Sequence, residues 1–140
     1  MTPSSPPAAA RSPVASIWEG SGNIMALDVL RALGREPAAL DAYLDELAEA
    51  AGADARLDAF CARLRDELAD PVAIELRARR LVEALALALQ GALLVRGAPP
   101  AVADAFCASR LAGDGGPQYG TLPAGVDTAA IVSRHTPPPG

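Results

Sequence analysis

The sequence predicts an all-α protein, an up-and-down bundle of about five helices. Alanine makes up nearly a quarter of the 140 residues, and aromatic residues account for 4%. Because alanine favours helix while β-branched and aromatic side chains favour strands, this composition argues against a sandwich or barrel. Apolar residues also recur at i, i+3, i+4 and i+7 in several segments joined by short connections, so neighbouring helices are expected to run antiparallel.

The first two predicted helices are bounded by glycine and proline. The first spans about residues 23–33 and is expected to end at Gly34 in the C′ position, where glycine is favoured. The second spans about residues 37–51, with Pro37 suited to the first helical position and Gly52 to the stop. The second carries apolar residues on one face, which indicates that this face is buried.

Three more helices and a short segment follow. The third begins with Asp54 as its N-cap and closes before the proline at position 71. The fourth, about residues 71–96, is apolar almost all round in its second half, so it is either an ordinary core helix or one that also meets another domain or subunit. The fifth spans about residues 100–111.

Composition divides the chain into three parts. Residues 1–13 are rich in Pro, Ser and Ala and are expected to be disordered. Residues 14–112 carry the predicted helical domain, and residues 113–140 form a Gly- and Pro-rich tail with a short ordered segment near residues 127–134. No apolar run reaches the roughly 18 residues that a membrane span needs.

Charge and cysteine usage restrict the class of protein. The formal net charge is −5, all twelve basic residues are arginine, and there is one histidine, which argues against non-specific nucleic-acid binding. Cys61 and Cys107 lie in apolar helical patterns without metal-ligand spacing, so we expect two reduced, buried thiols and no metal site. The N-terminus lacks the apolar core of a secretory signal, which favours a cytoplasmic location.

One stretch carries chemistry, and it lies directly before the first predicted helix. Its two glycines indicate a small-residue loop in which the backbone approaches a ligand closely, and a Ser or Asn can cap the following helix, whose free N–H groups attract phosphate. A carboxylate next to a Trp is a candidate general base. The alternative is an N-capping turn with a surface Glu and a packing Trp. The residues of the stretch are Ile17, Trp18, Glu19, Gly20, Ser21, Gly22 and Asn23.

Residues 13–33, PVASIWEGSGNIMALDVLRAL, resemble the C-terminal domain of acyl-CoA dehydrogenases, specifically the AidB-type adaptive alkylation-response branch. The similarity continues more weakly through the fourth predicted helix and the Ala-Phe-Cys run at residues 105–107. It includes the tail YGTLPAGVDTAAIVSR and covers roughly residues 11–136. The resemblance implies the same helical fold.

The resemblance also implies roles for individual residues. Acyl-CoA dehydrogenases use a Glu to remove the α-proton of an acyl-CoA thioester while the β-hydride passes to flavin N5, and Glu19 matches that base. Ser21 and Asn23 match positions that contact FAD. Trp18 is expected close to the flavin, with Gly20 in the same motif.

A second implied role is the binding of duplex DNA, which AidB-type members are thought to perform through this domain. Arg31 matches an arginine of the family pattern. Arg77, Arg79 and Arg80 form a further cluster whose guanidinium groups suit phosphate contacts. The alternative is a solvated helix face with ion pairs such as Glu75–Arg79.

Three hypotheses for the function follow from these observations. Because members of the family run to several hundred residues, the chain is expected to be a C-terminal fragment that supplies the flavin-edge loop and the base position, retains no FAD and is inactive alone. One alternative is a free-standing DNA-binding module. The other is an oligomerisation or assembly module, whose apolar fourth helix contacts a separately encoded dehydrogenase body or a second copy.

Overall fold

The computed structural model describes residues 13–113 and 121–139, and it describes side chains from residue 22 onward. The regular secondary structure of these residues is helical, without strands, so the all-α prediction is confirmed. Disorder is predicted for residues 1–13, and of these, residues 1–12 lie outside the described residues. The helices are α1 (Pro13–Arg35), α2 (Pro37–Ala48), α3 (Ala55–Ala69), α4 (Ala78–Gly97), α5 (Pro100–Phe106) and α6 (Thr128–His135), with a 3₁₀ turn at Ile74–Arg77 and a π-helical turn at Cys107–Leu111.

The start and end of α1 differ from the prediction. The helix begins at Pro13 rather than near residue 23, and it continues through Gly34 to Arg35. Glycine weakens a helix by only about 1 kcal/mol per residue, which packing of the helix against its neighbours offsets. The helix ends because Pro37 disfavours helical geometry in the residue before it, and Glu36 accordingly has φ −124° and ψ 80°.

The predicted signals around α2 and α3 are confirmed, although α2 is shorter than expected. Pro37 occupies the first turn of α2, which ends at Ala48. Gly52 follows in the connecting turn with a φ of +82°, a conformation that glycine adopts readily. Asp54 is the N-cap of α3, and its carboxylate accepts a hydrogen bond from the backbone N–H of Arg56 at 2.8 Å.

The segment predicted as one helix over residues 71–96 is divided in two. Ala73 adopts a left-handed conformation with a φ of +51°, and a 3₁₀ turn separates it from α4. Arg77 stabilises this turn, because its Nη2 donates to the carbonyl oxygens of Asp70 and Val72 at 2.8 and 3.2 Å. The side chain of Asp70 in turn accepts a hydrogen bond from the backbone N–H of Val72. A local polar network therefore holds the bend.

The central element is α4, which packs against α1, α2, α3 and α5. Leu81 on α4 is completely buried, as is Cys107 of the π-helical turn. Gly91 allows a close approach between elements, since a Cβ there would lie 3.0 Å from both Leu57 Cδ1 and Leu111 Cδ1. The fourth helix is thus a core helix of the bundle, and the additional contact with another domain or subunit that its sequence also allowed stays a prediction.

Helices α3 and α4 run antiparallel, as predicted for neighbours in an up-and-down bundle. Arg80, at the start of α4, pairs with Glu67 near the end of α3. At the opposite end, Leu57 lies at the start of α3, and its Cδ1 atom is 3.0 Å from the position that a Cβ on Gly91 would occupy. Residues 128–135, inside the segment predicted to be ordered, form α6, which packs against α5.

Candidate functional site

The residues that carry the family resemblance lie within α1 and not in a loop. The backbone from Pro13 to Arg35 is helical throughout, so the predicted loop at residues 17–23 and a capping role for Ser21 or Asn23 are wrong. In a continuous helix the backbone N–H groups at these positions bond to carbonyl oxygens four residues earlier. They are therefore not available as a phosphate-binding helix N-terminus.

The inner face of α1 is defined by residues at helical spacing. Ala26 is 5% exposed, Gly22 is half-buried, and Leu30 and Leu33 pack against the main core. The same face contacts α4, and Arg79 Nη2 lies 3.7 Å from the position of a Cβ on Gly22. Arg79 is thus next to the motif of the resemblance.

The outer surface of α1 is unusually apolar. Ile24 is 60% exposed, Met25 64% and Val29 40%. Asn23, the one predicted flavin contact whose side chain is described, is also exposed. A shallow groove of about 400 Å³ continues this surface toward α2, lined by Val29, Ala32, Leu33, Arg35, Glu36 and Ala39. Val72, Leu76 and Leu93, in the segment predicted as the fourth helix, are exposed as well, so exposed apolar surface lies on α1 in addition to that segment.

The described residues present part of a possible flavin site. Grooves formed by residues with described side chains lie between α1 and α2, between α3 and α4, and beside Cys61. The motif presents one helix face, with Asn23 exposed and Gly22 beside Arg79. The described residues therefore fit one edge of a cofactor site but do not enclose it.

The guanidinium of Arg77 contacts residues at the end of α3. Its Nη1 lies 3.9 Å from Glu67 Oε2, and its Nη2 lies 3.7 Å from Asp70 Oδ2. It also donates to three backbone carbonyls. Glu67 Oε2 is buried without a hydrogen-bond partner, so Arg77 is the cation that compensates it. The arrangement assigns Arg77 to the bend before α4.

Two of the other predicted DNA contacts, Arg31 and Arg80, are also paired with acids. Arg31 Nη1 lies 3.3 Å from Asp28 Oδ1 on the surface of α1. Arg80 Nη2 lies 2.6 Å from Glu67 Oε1, and the Arg80 side chain is 73% exposed. Exposed pairs of this kind contribute about 0–1 kcal/mol, and salt screens them.

The DNA-binding role of Arg31, Arg77, Arg79 and Arg80 stays a prediction. A salt titration with duplex DNA tests it, because affinity that depends on phosphate contacts falls steeply as salt rises. Each arginine that contacts a phosphate contributes about one unit to the slope of log affinity against log salt. A slope unchanged in the Arg31→Ala, Arg79→Ala double variant, or no binding at low salt, would contradict the role of these two residues.

Sequence reasoning missed a charged network between α3 and α5. The guanidinium of Arg56 bridges two carboxylates, with Nη2 2.7 Å from Asp54 Oδ2 and 2.8 Å from Asp104 Oδ1. Hydrogen bonds from Arg56 lower the pKa of Asp54 to about 2. Only tertiary structure joins residues 48 positions apart, although Asp54 was recognisable as a cap.

The buried thiols and Tyr43 take part in packing and not in an exposed reactive site. Cys61 and Cys107 are free and buried, as the sequence predicted. Burial raises the pKa of Cys107 to about 11 and also raises that of Cys61, so both are neutral thiols near pH 7. The hydroxyl of Tyr43 donates to the carbonyl of Leu85 at 2.7 Å, and burial raises its pKa.

A second groove, of about 300 Å³, lies between α3 and α4. Phe60, Leu64 and Leu87 provide apolar lining, while Glu67 and Arg80 supply charge at one end. The guanidinium of Arg63, another lining residue, lies 5.7 Å from the Phe60 ring centroid, within the range of a cation–π contact. The groove is separate from the motif on α1.

Two further findings concern metals and membranes. In residues 13–113 and 121–139, no group of three or more His, Cys, Asp or Glu side chains is arranged to hold a metal ion. None of the helices in the same ranges combines the length and apolar character that crossing a membrane requires.

Comparison with known proteins identifies the class to which this helical fold and its motif correspond. The chain is similar to an acyl-CoA dehydrogenase of the AidB type, as the sequence resemblance predicted. It is 39% identical over 104 residues, or 74% of its length, to "Putative acyl-CoA dehydrogenase AidB" of Escherichia coli (strain K12). The chain spans 19% of that relative, as expected for one domain of a longer protein. No family model and no solved structure match the chain.

Proposed function

We propose that the chain provides the C-terminal helical domain of an AidB-like, FAD-dependent acyl-CoA dehydrogenase and is inactive without the remaining domains. The observation that carries this proposal is the 39% identity to the E. coli protein over 74% of the chain. The acyl-CoA substrate class and FAD come from the family. Within the proposal, Glu19 is the base that removes the α-proton of the thioester.

The helical backbone of α1 supports this assignment in a way that a loop would not. Glu19 and Asn23 are four residues apart in a continuous helix, so the proposed base and a proposed flavin contact share one face. Groups held on a helix are positioned more reproducibly than groups on a loop. Ser21, Gly20 and Trp18 lie in the same two turns at other positions around the helix, and their proposed flavin contacts come from the family resemblance.

In this proposal, FAD and the residues of this chain have different chemical roles. FAD, when bound, accepts the β-hydride of the substrate. The contribution of this chain is the Glu19 carboxylate, which takes the α-proton as the double bond forms between Cα and Cβ. The remaining walls of the site come from a dehydrogenase body, because the described residues form one edge only.

The exposed apolar surface of α1 supports such a partner. Ile24, Met25 and Val29 leave large side chains in water directly after the motif. Apolar surface contributes about 25 cal/mol per Å² when it is removed from water. We propose that this face packs against the dehydrogenase body and thereby places the motif next to the flavin.

A chimera tests the proposal directly. The segment of the E. coli relative that aligns with this chain is replaced by the corresponding residues of this chain, and bound flavin is measured by visible absorbance. We expect the chimera to retain FAD and to oxidise an acyl-CoA thioester. Glu19→Gln should lower turnover by at least about 10²-fold, the scale of general-base catalysis, without loss of FAD.

The matched control is Gly34→Ala, a change in the same helix at a position with no atom within 4 Å of the added Cβ. It should leave both flavin content and turnover unchanged. A chimera that folds and retains FAD but turns over equally well with Gln at position 19 would refute the role of Glu19. Turnover by the isolated 140-residue chain would refute the dependence on a dehydrogenase body.

A further inference from the structure

We propose that Arg79 is a positioning residue for Glu19, acting across the contact between α1 and α4. The inference rests on the proposed function for the catalytic role of Glu19, whereas the contact between the two residues can be tested without it. It departs from the DNA-binding role that the sequence suggested for Arg79.

The start of α4 carries an unusual concentration of positive charge. Arg77, Arg79 and Arg80 lie within or next to its first turn, where the helix dipole favours acids and disfavours cations. Arg77 and Arg80 are compensated by Glu67 and Asp70 at the end of α3. Arg79 instead extends to α1, where its Nη2 lies 3.7 Å from the Cβ position of Gly22.

The register of α1 indicates which acid belongs to this contact. Half-buried Gly22 and buried Ala26 lie on the inner face, and a step of three residues back from Gly22 places Glu19 on the same face, about 4.5 Å along the axis. Asp28, the other acid of this helix, is exposed and pairs with Arg31. Glu19 is therefore the acid of α1 that shares the face next to Arg79.

An arginine in this place has a specific effect on a carboxylate base. Its planar guanidinium can bind both carboxylate oxygens at once, which restricts the orientation of the acid as well as keeping it ionised. A lysine would supply the charge but not the two-point geometry. Arg79 thus orients the group that takes the proton, without contacting substrate itself.

A double-mutant cycle on the full 140-residue chain tests the contact. Urea unfolding is measured for Glu19→Gln, Arg79→Gln and the double variant. We expect a coupling factor of about two- to fivefold in the unfolding equilibrium constant, within the range measured for surface ion pairs. A second pair, Glu19→Arg with Arg79→Glu, should recover most of the stability that each charge reversal loses alone.

The controls exploit the neighbours of both residues. Arg80→Gln removes an arginine one position away and should show no coupling to Glu19→Gln. Trp18→Ala tests a cation–π contact with the neighbouring aromatic residue as the competing explanation. Absence of coupling between positions 19 and 79, or coupling of Arg79 to Trp18 alone, would overturn the inference.

The chimera supplies the readout that a merely structural role would not move. Arg79→Gln should lower kcat about tenfold or more with KM unchanged, Arg79→Lys should recover part of the loss, and Arg80→Gln should have no effect. A chimera whose turnover depends on Glu19 but not on Arg79 contradicts this inference alone. A chimera in which Glu19→Gln leaves turnover intact contradicts the proposed function, while the cycle still reports on the contact itself.

Discussion

The two sides of α4 differ in how completely they are covered. Toward α3 and the π-helical turn, Leu57, Leu81 and Cys107 are buried almost completely, and Gly91 brings the elements into close contact. Toward α1, the contact is made through a buried Ala26 and a half-buried Gly22, and the outer face of α1 leaves large apolar side chains in water. The side of α4 toward α3 is therefore fully covered core, whereas α1 keeps an apolar surface exposed to water.

In this chain, the residues that stabilise the fold differ from those proposed to act in assembly and chemistry. None of the buried residues in the described part is polar or charged, so the core side serves packing alone. The residues of the family motif are all on α1, the helix with the exposed apolar surface. Substitutions on the core side should therefore change folding, and substitutions on α1 should change assembly and chemistry.

The largest expected effect is loss of a core side chain. Leu81→Ala should lower the free energy of unfolding by about 3–5 kcal/mol, because it leaves a cavity at a fully buried position. Val29→Ala, on the exposed face of α1, should cost about 0.5 kcal/mol or less. Urea denaturation of both variants measures the difference, and similar losses would remove the distinction between the two sides.

The next effect concerns the Asp54–Arg56–Asp104 network at the start of α3. The pKa of Asp54 falls from 3.8 to about 2 on folding, so the ionised carboxylate stabilises the fold by about 2 kcal/mol above pH 4. Because the folded pKa is the lower one, this stability should disappear as pH falls from about 4 to 2.

Asp54→Ala should remove that pH dependence and lower stability at pH 7 by about 2 kcal/mol, through loss of both the cap and the ion pair. The control is Asp28→Ala, which removes an exposed acid from α1 and should cost about 0.5 kcal/mol or less. Stability curves between pH 2 and 7 that coincide for wild type and Asp54→Ala would contradict the prediction.

Two glycine substitutions should change the free energy of unfolding in opposite directions. Gly91→Ala places a Cβ 3.0 Å from two leucine methyl groups and should destabilise the core side by about 1 kcal/mol, since overpacking outweighs the gain in helix propensity. Gly34→Ala meets no atom within 4 Å and should stabilise α1 by up to about 1 kcal/mol. Thermal unfolding midpoints that move in the same direction would show that both helices tolerate added volume equally.

The smallest effect on folding, but a clear one on assembly, is expected at the apolar surface of α1. The Met25→Glu, Val29→Glu double variant should change the free energy of unfolding by about 0.5 kcal/mol or less. In the chimera it should reduce flavin retention, because charge replaces apolar contact with the body. Val132→Glu, at an exposed position of α6, is the control, and equal flavin loss in both would show that the surface of α1 has no special role.

The sequence predicted helix ends correctly where a single residue caps or begins the helix. Asp54 was predicted as an N-cap and Pro37 as a first-turn residue, and both act on their own backbone. Signals from glycine were misleading at Gly22 and Gly34, which remain helical. The intrinsic cost of a helical glycine is about 1 kcal/mol, small enough for packing against a neighbouring helix to decide.

The charged residues show the same limit. The arginines at 77, 79 and 80 read as one cluster in the sequence, but the structure divides them between the end of α3 and α1. An Arg side chain is long, and which acid lies within its reach depends on how helices distant in sequence are arranged.

The sequence by itself determined the helical class, the capping residues and the relationship to AidB-type proteins, because these depend on residue type and on spacing over a few turns. Only the tertiary structure decided that the motif continues one long helix, that α4 is the core and α1 carries the exposed apolar face, and that Arg79 lies beside Gly22. These features depend on contacts between residues far apart in the chain, whose energies exceed the local preferences of any single position.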